Sequence, residues 1–308
     1  MATTNNITTT YAGEFAGEYI SAALLSGSTL ENGLISIKPN VKYKEVIKKI
    51  STDALVKDAS CDFDPTSAIT LTERIIQPTE LQVNLQLCKK DFHSDWEASQ
   101  QGFSAFDSLP PKFSDFLLSH VGAKVAQKTE QTIWNGAAAT AGEFNGFKAL
   151  MLADADVTDV GGGAAVTAAN VIAKIGLVVD AIGSSLYTSD EMFIYVSQNV
   201  ARAYVRALGG FATNVGAAGI NSDGTQWYTG GTLSFDGIKL AVANGLADNT
   251  MVAAEKSNLF FGTGLMADAN QVKVIDMADI DGSQNVRVVM RYTAGVQYGI
   301  GSDIVLYS

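Results

Sequence analysis

The chain has 308 residues, of which 47% are hydrophobic and only 17% are charged, and its formal net charge is −11. This composition excludes an intrinsically disordered chain, which combines low hydrophobicity with high net charge. An acidic chain is also a poor general DNA binder, because non-specific affinity for DNA comes mostly from Lys and Arg contacts to phosphates. Since few charged residues remain to cover the surface, we expect other copies of the chain to cover part of it.

The beginning of the chain predicts a polar arm followed by a helix. Residues 1–15 have neither the basic region nor the apolar core of a signal peptide. Residues 12–25 have helical periodicity, with Phe15 and Tyr19 on one face, and the Ser-Gly-Ser run after them ends the pattern. A short strand is predicted over residues 34–37.

Residues 41–78 predict a long two-stranded hairpin. Its return limb alternates Ile69, Leu71 and Ile75 with polar residues. An isolated hairpin is barely stable in water, so this one must lie on another surface, and a neighbouring subunit is the natural candidate. The lysine-rich first limb indicates either a solvated strand face or a patch that faces phosphates or acidic groups. The residues that we consider for contact between subunits are Lys48, Lys49, Lys57 and Asp58.

The middle of the chain carries the clearest strand and the clearest helix. Residues 81–88 alternate apolar and polar side chains, which is typical of a half-buried strand. Residues 113–135 predict a long helix that begins after two prolines and ends before Gly136. Its apolar face is predicted to consist of Phe113, Leu117, Val121, Val125 and Ile133.

The second half of the chain alternates shorter helices and strands. The predicted elements are a helix over 168–182 capped by Thr167, a strand over 192–196, a helix over 199–208, a loop over 211–228, and strands over 286–292 and 296–307. Strands therefore lie on both sides of one long helix in mixed order, which favours an α+β fold over a doubly wound sheet.

A search for catalytic or cofactor motifs finds none that is complete. The glycine run at 161–163 lacks the Gly-Lys-Ser/Thr of a phosphate loop and the third glycine of a dinucleotide loop. Asp279, Asp281 and Gly282 resemble part of a calcium loop, but its first and twelfth positions hold no ligand. We therefore expect no cofactor and no metal.

Hydrolytic and zinc chemistry are disfavoured on similar grounds. The two histidines, His93 and His120, accompany no Gly-x-Ser-x-Gly nucleophile motif, and surface or packing roles are simpler interpretations. Cys61 and Cys88 form neither a CxxC motif nor a zinc-finger spacing, so we expect reduced thiols in a cytoplasm-like compartment. The sequence is also without an apolar stretch long enough to predict a membrane span. These observations favour a structural protein over an enzyme.

Several segments carry a family resemblance. They are YAGEFAGEYISAALLSG at 11–27, VAQKTEQTIWNG at 125–136, FNGF at 144–147, MFIYVSQNVARAYVRAL at 192–208, GLADNTMVAAEKSNLFFGTGLMADANQVKVIDM at 245–277 and NVRVVMRYTAGVQYGIGSDIVLY at 285–307. In this order they resemble the major capsid proteins of tailed double-stranded-DNA bacteriophages. The resemblance implies the Hong Kong phage capsid fold, which encapsulins share.

The resemblance also implies a division of the chain. Residues 1–40 would form an N-terminal arm and residues 41–80 an extended loop that lies over an adjacent subunit. Residues 81–142 and 283–308 would form a peripheral domain around the long spine helix. Residues 143–282 would form an axial domain that crowds around the symmetry axes.

The implied function is structural and not enzymatic. Copies would assemble in the bacterial host cytoplasm into pentamers and hexamers, and these would close into the icosahedral shell of a virion around packaged DNA, without sequence-specific DNA binding and without a membrane. Portal proteins and scaffold or decoration proteins are the expected further partners, and the early start of the arm implies a separate scaffold or none. Some relatives crosslink subunits through a Lys–Asn bond, but no Asn and Glu match that pattern around Lys57, so a loop lysine in a salt bridge is the simpler interpretation.

Three other functions stay open at the level of the sequence. The first is an encapsulin-type compartment that holds cargo proteins, with the predicted N-terminal helix as a cargo platform. The second is a soluble enzyme whose motif is not recognisable. The third is a phage tail or decoration protein, which the long central helix disfavours.

Overall fold

The computed structural model describes residues 27–52, 56, 58–59, 61, 69–88, 111–161, 165–208, 233–264 and 272–308. The predicted helix over 12–25, the predicted loop over 211–228 and His93 lie outside these residues. The described helices and mixed sheets confirm the α+β class.

The described residues form more helices and strands than the sequence patterns predict. The helices are α1 (Ser28–Glu31), α2 (Pro111–Asn135), α3 (Phe147–Leu152), α4 (Val171–Asp180), α5 (Gln198–Leu208) and α6 (Ala278–Asp281). The strands are β1 (Ser36–Lys38), β2 (Glu45–Thr52), β3 (Ile69–Ile76), β4 (Thr79–Cys88), β5 (Thr158–Asp159), β6 (Met192–Val196), β7 (Leu233–Phe235), β8 (Ile238–Val242), β9 (Met251–Glu255), β10 (Leu259–Thr263), β11 (Lys273–Asp276), β12 (Asn285–Tyr298) and β13 (Val305–Tyr307).

The strongest periodic segments are confirmed. The hairpin of β2 and β3, the strand β4, the long helix α2 and the strand β6 all occur where the sequence predicts them. The predicted apolar face of α2 is buried at Leu117, Val121, Val125 and Ile133. These segments are predictable because each carries one uninterrupted pattern, which is a periodicity in the hairpin, β4 and α2 and a continuous apolar run in β6.

Two predicted elements are wrong in their bounds. The helix predicted over 168–182 begins at Val171, and Thr167 does not cap it, because residues 168–170 form a turn. In that turn the Asn170 side chain accepts a hydrogen bond from the Thr167 amide and donates one to the Ala165 carbonyl oxygen. The strand predicted over 296–307 is interrupted by a short 3₁₀ helix, Gly301–Asp303.

One sheet is organised around the long strand β12. β4, β10 and β11 pair with β12 in antiparallel fashion, and β1 adds to β10 in parallel. The buried side chains of this sheet pack against α2 in one core. Period-two burial along β12 explains why its apolar residues face the helix while Arg287 and Arg291 face solvent.

The second sheet has the strand order β5-β13-β9-β6-β8-β7. Ile194 and Val196 on β6 pack with α4 and α5 in a second core, whereas Tyr195 points to the first core. The sheet is therefore buried on both faces, which accounts for the continuous apolar run of β6.

The pairing of strands crosses the predicted domain bounds. β10 and β11 come from residues 143–282 but share a sheet with β4 and β12. β13 comes from residues 283–308 but pairs with β9. The division of the chain into an arm, a loop and two domains stays a prediction.

Candidate subunit-contact surface

The hairpin presents an apolar face to solvent. In the β2–β3 pair, Val46 lies opposite Ile75, Lys48 opposite Glu73 and Ile50 opposite Leu71. Side chains that lie directly opposite each other in an antiparallel pair project to the same face. We call this the outer face of the hairpin, and it consists of Val46, Lys48, Ile50, Ile69, Leu71, Glu73 and Ile75.

The outer face is strongly exposed for an apolar surface. Ile50, Ile69 and Leu71 are 67%, 68% and 69% exposed, and Val46 and Ile75 are each 42% exposed. Contiguous apolar patches on a protein surface usually mark an interaction site. The two charged residues at the centre of the outer face, Lys48 and Glu73, have opposite charges that cancel. The outer face is therefore suited to contact with another apolar surface.

The opposite face of the hairpin lies on the body near its base. Four glycines of β10 and of the β12–β13 region receive it, and we call them the hairpin seat: Gly262, Gly295, Gly299 and Gly301. A Cβ on Gly262 would lie 2.7 Å from Cδ1 of the buried Ile76, and one on Gly295 would lie 3.0 Å from the carbonyl oxygen of Gln77. Larger side chains at these positions would displace the hairpin.

A second contact joins the hairpin to the body through Arg74. Its guanidinium forms an ion pair with Asp154, in the loop after α3, and lies 4.5 Å from the centre of the Tyr298 ring. The Tyr298 hydroxyl donates a hydrogen bond of 2.7 Å to Asp154 Oδ2. We call Arg74, Asp154 and Tyr298 the hairpin clamp.

The clamp favours the ionised carboxylate. Burial alone would raise the pKa of Asp154, but the hydrogen bonds from Tyr298, the Asp156 amide and Arg74 outweigh it and lower the pKa below its ordinary value. Burial, with the hydrogen bond to Asp154 next in importance, raises the pKa of the Tyr298 hydroxyl. At neutral pH the clamp therefore holds one cation, one anion and one neutral phenol.

Two of the residues considered for subunit contact, Lys48 and Lys49, lie on opposite faces of the hairpin. Lys48 is exposed on the outer face, whereas Lys49 is half-buried on the opposite face, across from Thr72. Successive side chains of a strand alternate between faces, which explains the separation. Asp58 is exposed near the far end of the hairpin, and Lys57 lies outside the described residues. Lys38, from the same lysine-rich segment, is paired with Glu45 at 2.5 Å.

Sequence reasoning identified only part of this surface. The alternation of Ile69, Leu71 and Ile75 was recognisable, but Ile50 could be assigned to the same face only with the strand register. The clamp joins residues 74, 154 and 298. Such separations leave no local signal in a single sequence.

Two grooves elsewhere on the molecule do not indicate a particular ligand or partner. One of about 1000 Å³ lies between Gly27, α2 and residues 244–247, and another of about 420 Å³ lies between β4 and α2.

Among the described residues, no group of three or more His, Cys, Asp or Glu is arranged to hold a metal ion. Both cysteines are free thiols, exposed at Cys61 and half-buried at Cys88. Within the described part of the chain, no helix has both the length and the apolar character needed to span a membrane.

Comparison with known proteins rests on structure. Neither a protein-family model nor a curated protein sequence matches the chain. The capsid of an empty GTA particle matches with a TM-score of 0.58 and 13% identity, covering 92% of this chain and 90% of that one. Mycobacterium phage Che8 matches with a TM-score of 0.54 and 14% identity, covering 100% and 94% of the two chains. This chain has the phage major capsid fold.

The capsid fold extends over nearly all of the chain. A virus-like particle from Pyrococcus furiosus also matches, with a TM-score of 0.52 and 9% identity, covering 94% of this chain and 98% of that one. At sequence identities this low, the structural matches establish the common fold alone. The resemblance to major capsid proteins is thereby confirmed at the level of the fold.

Proposed function

We propose that this protein is the major capsid protein of a tailed bacteriophage and has a structural, non-enzymatic role. Copies form pentamers and hexamers, and these close into an icosahedral shell that encloses double-stranded DNA in the virion. The observation that carries the proposal is the exposed apolar outer face of the hairpin on a chain with the capsid fold. Contact with a second copy would bury this apolar face and remove it from water.

The proposed contact runs head to tail. The hairpin of one copy lies across its neighbour, whose own hairpin reaches the next copy, and such heterologous contacts close into rings. Full burial of a Leu or Ile side chain is worth about 1.5–3 kcal/mol, so Ile50, Ile69 and Leu71 together supply a substantial driving force. Because each copy engages several neighbours, contacts that are individually weak combine into a stable shell.

The charge of the chain suits a container for DNA. A net charge of −11 per copy gives little general affinity for phosphates, so the inner wall would not trap the packaged DNA. Further copies of the chain are the main partners, and portal proteins with scaffold or decoration proteins complete the particle. Assembly takes place in the bacterial host cytoplasm.

Two neighbouring residues of β3 provide a matched test. The full chain is expressed alone and with candidate scaffolding proteins, and the products are imaged by negative-stain electron microscopy and sized by sedimentation. Leu71→Lys places a charge on the outer face, whereas Thr72→Lys places it on the opposite face of the same strand. We expect particles for the unmodified chain and for Thr72→Lys, and loss of at least ten-fold in particle yield for Leu71→Lys. Isolated subunits of the unmodified chain, or full assembly of Leu71→Lys, would contradict the proposal.

A second candidate function is a protein compartment that holds cargo proteins. The likeness to the virus-like particle from Pyrococcus furiosus favours it. The ratio of absorbance at 260 and 280 nm in particles from the native source separates the two functions. A nucleic-acid-dominated spectrum supports the capsid, and a protein spectrum with co-purifying cargo supports the compartment.

A further inference from the structure

We propose that the hairpin clamp fixes the direction in which the hairpin leaves the body, and that it thereby sets the angle between neighbouring copies. This inference rests on the proposed shell function for its second half. Its first half concerns the chain alone. Arg74 is in this sense a positioning residue for assembly.

A small change of tilt at the base of the hairpin produces a large displacement at its far end. An eight-residue strand such as β2 spans about 26 Å, and a tilt of about 10° at its base moves its far end by about 5 Å. That displacement equals about one strand spacing in a sheet. A small change at the base would therefore move the outer face onto a different part of the neighbouring subunit.

Within the hairpin seat, the contacts of Gly262 and Gly295 limit the position of the hairpin more than its tilt. Ile76 at the end of β3 fits over Gly262, and Gln77 and Pro78 lie over Gly295. All of these contacts lie at one end of the hairpin. Contacts at one end form a pivot, and a second point of attachment is needed to fix the angle.

Arg74 provides a second point of attachment, in addition to the Lys38–Glu45 ion pair and the hydrogen bond from Gln297 Nε2 to the Ile75 carbonyl oxygen. It lies opposite Ile47 on the face of the hairpin that meets the body, and Ile47 Cγ2 would lie 3.8 Å from a Cβ on Gly299. The guanidinium binds a carboxylate and stacks on an aromatic ring at the same time. This combination suits the planar guanidinium group and not an ammonium group.

The three members of the clamp come from different parts of the fold. Arg74 lies on β3, Asp154 follows α3, and Tyr298 ends β12, where its hydroxyl oxygen also lies 3.2 Å from the Leu150 carbonyl oxygen. A Cβ on Gly301 would lie 2.8 Å from Asp154 Oδ2 and 3.3 Å from an Arg74 nitrogen, so a glycine keeps the space for the ion pair. The body therefore offers the arginine a preformed site.

Distance measurements on isolated chains test the first half of the proposal. Spin labels are attached to Thr70→Cys, towards the far end of the hairpin, and to Thr140→Cys on the body, both exposed positions, in a chain that also carries Cys61→Ser and Cys88→Ser. Excess unlabelled chain suppresses distances between copies, and circular dichroism verifies the fold. We expect Arg74→Gln to broaden the distance distribution at least two-fold and Tyr298→Phe to broaden it less, because the ring remains.

Arg291→Gln is the matched control. Arg291 is 70% exposed and lies 3.8 Å from the equally exposed Glu80, so the substitution removes a surface arginine from an ion pair outside the clamp. We expect it to leave the distribution unchanged. A distribution for Arg74→Gln as narrow as that of the unmodified chain would overturn the proposal.

Particle images test the second half. We expect Arg74→Gln particles to show at least twice the spread in diameter of the unmodified particles, and Arg291→Gln particles to match them. Arg74→Gln could broaden the spin-label distances in isolated chains and still give particles of uniform diameter. That combination would overturn the link between the clamp and shell geometry. If the unmodified chain forms no particles at all, the shell function fails, while the distances in isolated chains still decide the role of the clamp.

Discussion

At the residue scale, Glu130 joins the beginning of the described chain to the spine helix. It is buried within α2, and its carboxylate accepts hydrogen bonds from the Thr29 amide at 3.1 Å, the Thr29 hydroxyl at 2.5 Å and the Ser28 hydroxyl at 3.0 Å. Thr29 Oγ1 in turn accepts a hydrogen bond from the buried Trp134 indole at 2.8 Å. A buried carboxylate is stable here because donors surround it.

Replacing Glu130 should therefore be costly. Hydrogen bonds to charged groups contribute about 1.5–3 kcal/mol each. Glu130→Gln replaces one accepting oxygen with an NH₂ group, which faces the donors that now bind the carboxylate. We therefore expect a loss of about 2–3 kcal/mol in the free energy of unfolding. Urea denaturation of the dissociated chain measures it. Glu31→Gln, an exposed glutamate on α1, is the control and should change the free energy by less than about 0.5 kcal/mol. Equal effects of the two substitutions would show that the buried hydrogen bonds contribute nothing specific.

Asp154 predicts an acid-sensitive contribution to stability. Because its pKa is lower in the folded chain than in the unfolded chain, the unfolded state binds protons more readily as the pH falls. The contribution is fully present above the ordinary Asp pKa of about 3.9 and is lost as the pH falls through the lower folded value. We expect the stability difference between the unmodified chain and Asp154→Asn to shrink between about pH 5 and pH 2. Chemical denaturation across this range measures it, and a constant difference would contradict the prediction.

At the scale of secondary-structure elements, two glycines should respond oppositely to alanine. Gly176 lies inside α4, and a Cβ there would have no atom of the described residues within 4 Å apart from its neighbours and the backbone of its own helix. Gly245 lies against the spine helix, and a Cβ there would overlap the main-chain carbonyl of Glu130. One glycine is therefore replaceable, whereas the other keeps the space for a close approach.

We expect Gly176→Ala to stabilise the chain by about 0.5–1 kcal/mol, because glycine is less favourable than alanine inside a helix. Gly245→Ala should destabilise it by more than about 1 kcal/mol, since main chain cannot move aside as a flexible side chain can. Thermal unfolding of the two variants side by side measures both. Shifts of the same sign would contradict the packing described for α2 and residues 244–247.

The elements differ in how far the sequence alone could predict them. β4 and α2 were predictable because each carries one uninterrupted periodicity, and the return limb of the hairpin was predictable for the same reason. The start of α4 was not, because Asn170 forms side-chain hydrogen bonds that hold a turn where Thr167 was expected to cap a helix. The outer face was only half predictable, since the placement of Ile50 beside Leu71 depends on the strand register.

At the scale of the whole molecule, two physical pictures of assembly make opposite predictions. If the lysine-rich limb pairs with acidic neighbours, assembly depends on attraction between opposite charges, and salt weakens it. If the outer face drives assembly by burying apolar surface, copies that each carry a net charge of −11 repel one another, and salt strengthens assembly by screening that repulsion. The separation of Lys48 and Lys49 onto opposite faces favours the second picture.

We therefore expect the concentration needed for half-maximal assembly to fall as sodium chloride rises from about 0.05 to 0.5 M, since the screening length shortens from more than 10 Å to less than 5 Å over this range. Light scattering on a dilution series measures that concentration. The double charge reversal Lys48→Glu with Lys49→Glu increases the net negative charge, so it should assemble poorly at low salt and recover at high salt. If charge pairing were the driving force, the unmodified chain would instead dissociate as salt rises, and high salt would not rescue the reversed variant. The two dilution series together distinguish a shell held by buried apolar faces from one held by ion pairs.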